Sequence, residues 1–109
     1  MADYDIVIRG GTVGTSSAIF EADVGIAGEA IVAIGRNLGP GKREIDAKGK
    51  LVLPGGVDAH AHIEQLSGMG VMGADNFESA TGAAALGGTT TVVCFAAQHK
   101  GKSLTKVVE

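Results

Sequence analysis

His60 and His62 stand one residue apart in the stretch PGGVDAHAHIEQ, residues 54–65, and the chain holds only one other histidine, His99. On an extended backbone, residues i and i+2 point the same way, so the two imidazoles would share one face of a strand. Imidazoles presented together suit Zn²⁺ or a similar metal. The same spacing also arises from two surface histidines on an edge strand that hold nothing. Asp58 precedes the pair at the same spacing, and Pro54-Gly55-Gly56 introduces it. Asp58 either orients a ligand histidine or the strand end from outside the ligand set, or satisfies backbone donors in a turn.

Other residues that could do chemistry carry weaker signals. His99, in AAQHKGKS, reads as a solvated loop histidine or a substrate-side contact. Cys94 lies inside an apolar run and reads as a small core residue rather than a nucleophile. The loop EQLSGMGVMGADN carries Leu66, Met69, Val71 and Met72 between glycines. These four residues could form an adaptable apolar wall beside a site, or pack on neighbouring loops or on a second subunit. The glycine pairs at 10–11 and 55–56 do not form a phosphate-binding pattern, since no Gly-x-Gly-x-x-Gly follows a strand and opens a helix.

The elements that must position these residues change style at Leu51. Before it, YDIVIR (4–9) reads as a strand ending in a Gly10-Gly11 turn. In AIFEADVGI (18–26), Phe20, Ala22, Val24 and Ile26 alternate with polar residues or glycine, which gives a half-buried strand. A turn at 27–29 and a strand at 30–35 make this a hairpin. A loop at 37–42 and a short strand at 43–47 complete an all-antiparallel first half. After Leu51 the pattern is strand, loop, helix, strand, loop, helix. The first helix has Asp75 as cap and Glu78 three residues on, with Gly87-Gly88 to end it; Phe77, Ala80 and Ala84 fall on one face. TTTVVCFAA (89–97) reads as a strand covered on both faces. SLTKVVE begins a second helix with Ser103 as cap.

Composition sets outer limits. The chain is 45% hydrophobic and 19% charged, with a net charge of −3 and no basic block, which argues against nucleic acid or an anionic membrane as partner. No apolar run approaches the roughly 18 residues of a membrane span, and MADYDIVIRGG is not a signal peptide. One cysteine fits a reducing compartment, so the expected location is cytoplasmic. Eighteen glycines between apolar runs imply many tight turns. With four aromatics the core is thin, and two parallel strands leave their faces uncovered, so the expectation is the N-terminal part of a larger protein.

GKLVLPGGVDAHAHI resembles the first barrel strand of the amidohydrolase superfamily, with its Pro-Gly and Asp-x-His-x-His pattern. GGTTTVV after an alanine-rich helix is similar to the second barrel strand of the cyclic amidohydrolases. ADNFESATGAAALGGTTTVVCFAAQHKGKSL looks most like the hydantoinase and dihydropyrimidinase branch. The resemblance covers essentially the whole chain. It implies an α/β fold in which residues 1–51 contribute antiparallel strands to a β-sandwich. Residues 52–109 would start a (β/α)₈ metal-dependent hydrolase barrel, reaching strand 1, a loop, helix 1, strand 2 and the start of helix 2.

By the same resemblance, His60 and His62 bind the more buried of two zinc ions, and the loop with Leu66, Met69, Val71 and Met72 lines the pocket for the exocyclic substituent. The substrate would be a cyclic amide, a hydantoin or dihydropyrimidine opened to an N-carbamoyl amino acid, and the enzyme a homodimer or tetramer. The family site also needs a carboxylated lysine, two more histidines and an aspartate. This chain has one more histidine and no aspartate after Asp75, so the remaining groups are expected beyond residue 109 and the 109 residues alone are expected to be inactive. A non-catalytic, dihydropyrimidinase-related assembly protein is the alternative, and the retained His60 and His62 argue against it. Allantoinase and dihydroorotase are others; the apolar loop, with no arginine beside HAH, argues mildly against them.

Overall fold

The computed structural model describes residues 1–108. The described residues are mostly β-strand with two helices, and they divide into two compact units, Met1–Pro54 and the residues from Gly55 onward.

The first unit is one mixed sheet of β1 (Tyr4–Gly14), β2 (Ile19–Ala27), β3 (Ala30–Gly35), β4 (Gly41–Asp46) and β5 (Leu51–Val52), in the order β3-β2-β1-β4, with β5 also on β1. The 19–27 and 30–35 strands form the expected antiparallel hairpin. The expectation of an all-antiparallel first half is corrected, because β4 and β5 both run parallel to β1. The reason is the path of residues 36–40, which return to the starting end of β1 instead of making a hairpin. Arg9 fastens that return: its Nη1 donates to the Leu38 carbonyl at 2.7 Å and its Nη2 to the Gly39 carbonyl at 3.0 Å. The Pro40 carbonyl then accepts from the Asp3 N–H at 2.8 Å, so β4 begins level with Tyr4.

The expected Gly10-Gly11 turn is a correction of the same kind. Strand β1 continues through it as a β-bulge, with Ile8 opposite Val24 but Gly11 opposite Ala22, so Arg9 and Gly10 together face Asp23. Gly10 adopts φ +61°, a left-handed conformation that glycine enters without steric cost. The extra residue flips the alternation, bringing Ile8 and Val13 onto the same face. There they pack with Ala22, Val24, Ile26 and Val52 as the core of the sheet. On the other face Asp23 is buried, at 8% exposure. Its carboxylate accepts from the Gly10 N–H at 2.8 Å, the Leu38 N–H at 3.2 Å and Arg9 at 3.2 Å. The Gly10 hydrogen bond, then that from Leu38, then Arg9, holds the Asp23 carboxyl below the usual carboxylate range against the opposing effect of burial. Glu44 closes the cluster by pairing with Arg9 from β4.

The second unit is a parallel pair, β6 (Gly56–Ala61) and β7 (Thr89–Cys94), joined through α1 (Phe77–Leu86), with α2 (Thr105–Val108) following. Helix α1 packs on β7. Leu51 and Val52 pair with β1, so the change from one unit to the other falls at Pro54-Gly55, three residues after the expected division at 51/52. The cap of α1 is Asn76, one residue after the expected Asp75: its side chain accepts from the Ser79 N–H, and the Ser79 hydroxyl accepts from the Asn76 N–H. Asp75 instead accepts from the Ser79 hydroxyl at 2.9 Å. Gly87 ends the helix as expected. Ala80 and Ala84 are half-buried, while Phe77 on the same face is 49% exposed.

Strand β7 stops at Cys94, short of the expected 97, and it is not covered on both faces. Only α1 packs on it among the described residues, which leaves Val93 and Cys94 exposed within this chain, as expected for two parallel strands with uncovered faces. Helix α2 starts at Thr105, two residues past Ser103, with Val108 donating to the Leu104 carbonyl. Among the described residues, no helix is long and apolar enough to cross a membrane.

Candidate metal site

His60 is the penultimate residue of β6, and His62 follows one residue after the strand ends. Both side chains are exposed at the C-terminal end of the strand. Their Nε2 atoms approach to 2.9 Å, and the ring centroids lie 4.9 Å apart. At that distance one nitrogen carries the hydrogen and the other the lone pair.

Three neighbours hold this arrangement. Asp58 accepts from the backbone N–H of His60 at 3.0 Å, so its hydrogen bond fixes the strand end rather than an imidazole. Phe95, the first residue past β7, stacks on His60 with centroids 5.1 Å apart and lies 4.9 Å from the His62 ring. The parallel ladder creates this contact, since the Phe95 N–H donates to the Ala61 carbonyl at 2.8 Å. Gln65 places Oε1 2.6 Å from His62 Nδ1. Sequence reasoning missed both Phe95 and Gln65. Phe95 could be found only through the pairing of two strands distant in sequence. Gln65, three residues past a suspected ligand, carried a local signal, because ligand imidazoles usually give their second N–H to an acceptor.

The donor set fits a metal in part. Two converging ring nitrogens can serve as ligands, but among the described residues no group of three or more His, Cys, Asp or Glu comes together to hold an ion.

The loop after His62 has internal order. Leu66 and Met72 form an isolated antiparallel bridge, the Ser67 N–H donates to the Val71 carbonyl at 2.8 Å, and Glu64 accepts from the Phe77 N–H at the start of α1. Leu66, Met69, Val71 and Met72 all present exposed side chains. Leu66 borders an open cleft of about 680 Å³ together with Gln65, Phe77, Phe95 and His99, whereas Met69, Val71 and Met72 lie outside its lining. His99 is exposed in a turn, where its carbonyl accepts from the Lys102 N–H at 3.0 Å.

Comparison with known proteins gives a consistent set of relatives. Residues 43–103 match the model of the "Amidohydrolase family". The chain is similar to a D-hydantoinase of Ralstonia pickettii, 49% identical over 104 residues that make up 95% of this chain and 22% of that protein. It is also similar to a dihydropyrimidinase of Rattus norvegicus, 43% identical over an alignment that covers 95% of this chain and 21% of the relative. Among solved structures, a D-hydantoinase superposes with a TM-score of 0.88 at 49% identity over 95% of this chain and 22% of that one. A dihydropyrimidinase from Brevibacillus agri superposes with a TM-score of 0.86 at 46% identity, over 94% of this chain and 22% of its own. The chain thus spans about a fifth of the length of the curated relatives it matches.

Proposed function

The chain belongs to the amidohydrolase family, and from that premise we propose that the protein containing it is a metal-dependent cyclic amidohydrolase of the hydantoinase and dihydropyrimidinase type. The observation that carries this reading is the convergence of His60 Nε2 and His62 Nε2 at the C-terminal end of a strand with a parallel neighbour. Active sites of barrel enzymes are assembled at that end of their strands. In this reading the first unit is part of a β-sandwich, and β6, α1 and β7 begin a (β/α)₈ barrel.

His60 and His62 would hold one of two zinc ions through Nε2. When bound, the metal supplies Lewis acidity toward the amide carbonyl of a hydantoin or dihydropyrimidine ring. The residues of this chain position and shape the site. Asp58 fixes the backbone of His60, and Phe95 packs against both rings. Leu66, Met69, Val71 and Met72 would form the apolar wall for the exocyclic substituent, with Leu66 bordering the cleft that Gln65 and Phe95 also line. The protein is proposed to act in the cytoplasm as a homodimer or tetramer on a small-molecule substrate.

The deciding experiment measures release of N-carbamoyl amino acid from hydantoins by the longer protein that carries these residues. Activity should require both His60 and His62. Normal turnover after His60→Ala would overturn the reading.

A further inference from the structure

We infer that Gln65 is a positioning residue that sets the tautomer of His62 and so presents its Nε2 lone pair to a metal. The inference rests on the metal reading above and adds to it a residue outside the Asp-x-His-x-His pattern. Gln65 Oε1 is an acceptor only and lies 2.6 Å from His62 Nδ1. The hydrogen of a neutral His62 imidazole therefore sits on Nδ1, and Nε2 is bare. His60 Nε2, at 2.9 Å, must then be the donor between the two rings. His62 Nε2 would thus be free to hold a metal, and His60 would need only its other tautomer, with the hydrogen on Nδ1, to offer its own Nε2.

The local backbone places Gln65 where this contact is possible. Glu64 takes a left-handed turn with φ 51°, its N–H donating to the Asp75 carbonyl at 3.2 Å, while the Gln65 carbonyl accepts from the Gly73 N–H at 3.1 Å. The Gln65 carbonyl and the N–H of the residue before it are thus tied to the loop, and Gln65 itself is half-buried. An acceptor at Nδ1 orients the ring, and loss of such a partner typically changes metal affinity by about 10–100-fold.

The test uses nitrogen-15 spectra of the histidine rings in the metal-free longer protein that carries these residues, at pH 8, together with zinc titration of the same protein. Wild type should show His62 protonated on Nδ1. Gln65→Leu should move that hydrogen to Nε2 or give a mixture, and should weaken zinc binding about tenfold or more. Gln65→Glu, which keeps an acceptor, should restore both signatures, and circular dichroism should match across the three proteins. A His62 protonated on Nε2 in wild type overturns the inference, since the Gln65 amide would then be donating. If zinc binding needs His60 and His62 but ignores Gln65→Leu, the inference falls and the metal reading stands. If zinc binding ignores His60→Ala and His62→Ala, the metal reading falls first and takes the inference with it.

Discussion

The Nε2 atoms of His60 and His62 stand 2.9 Å apart at the end of β6, nearer than two nitrogens on one tetrahedral zinc. With metal–nitrogen bonds of about 2.0–2.1 Å, such nitrogens are separated by about 3.3 Å. If the pair holds zinc as proposed, the two nitrogens would open by a few tenths of an ångström. Either His60→Ala or His62→Ala should lower zinc affinity at least tenfold in calorimetric titration. The double variant should lose little more than either single one, because the two rings act as a unit. Additive losses would show that the rings bind separately.

Asp58 acts on the backbone of His60, so its loss should be milder than loss of a ligand. Asp58→Ala is expected to weaken zinc binding by less than His60→Ala does. Asp58→Asn, which keeps an acceptor oxygen for the His60 N–H, should recover most of it. Equal damage from Asn and Ala would mean that the charge of Asp58 matters more than its hydrogen bond.

Acid should weaken the first unit through Asp23. Its folded carboxyl titrates below the usual value of 3.8, so its contribution is fully present above that value and is lost as pH falls through the lower, folded one. Asp23→Asn should be destabilised by about 2 kcal/mol at pH 7, the scale of lost hydrogen bonds to a charged group. The gap between the two proteins should narrow below about pH 4. Urea unfolding followed through Tyr4, the only tyrosine, reads this unit directly. A gap as wide at pH 3 as at pH 7 would contradict the assignment.

Two glycine substitutions should have opposite signs. A Cβ at Gly11 would stand 2.5 Å from Val52 Cγ2 and 3.1 Å from Ala47 Cβ, so Gly11→Ala overpacks the join between β1 and β5 and should cost about 1–3 kcal/mol. In α1, Gly82 faces open space, and Gly82→Ala should stabilise the helix by about 0.5–1 kcal/mol. Thermal unfolding of both variants checks the pair. A stabilising Gly11→Ala would show that Val52 can move aside.

Local pattern was enough for much of this protein. The alternation in residues 18–26 gave the β2 strand, because a period of two is a property of the backbone and of the side chains along it. The family was likewise legible from PGGVDAHAHIEQ and GGTTTVV, where residue type and spacing carry the chemistry. The cap of α1 falls one residue past Asp75 because Asp75 and Asn76 are both good caps, and it is the Asn76 side chain that meets the Ser79 N–H.

What the tertiary structure decided was long-range. The Gly10-Gly11 pair is a turn signal in isolation. It became a bulge because Asp23 on the next strand satisfies the Gly10 N–H and Arg9 together. The parallel placement of β4 depends on the carbonyls of Leu38 and Gly39 meeting Arg9, 29 and 30 residues away in sequence. Cys94 sits in an apolar run, but its burial depends on what packs against β7 rather than on the strand itself. His60 and His62 could be paired on paper, since two residues on one strand share a face. Phe95 reaches their rings only through the register of β6 on β7, and no sequence spacing encodes that contact. Local chemistry is written in neighbouring residues, while contacts across the fold exist only once hydrogen bonding and burial have chosen among the partners the chain makes available.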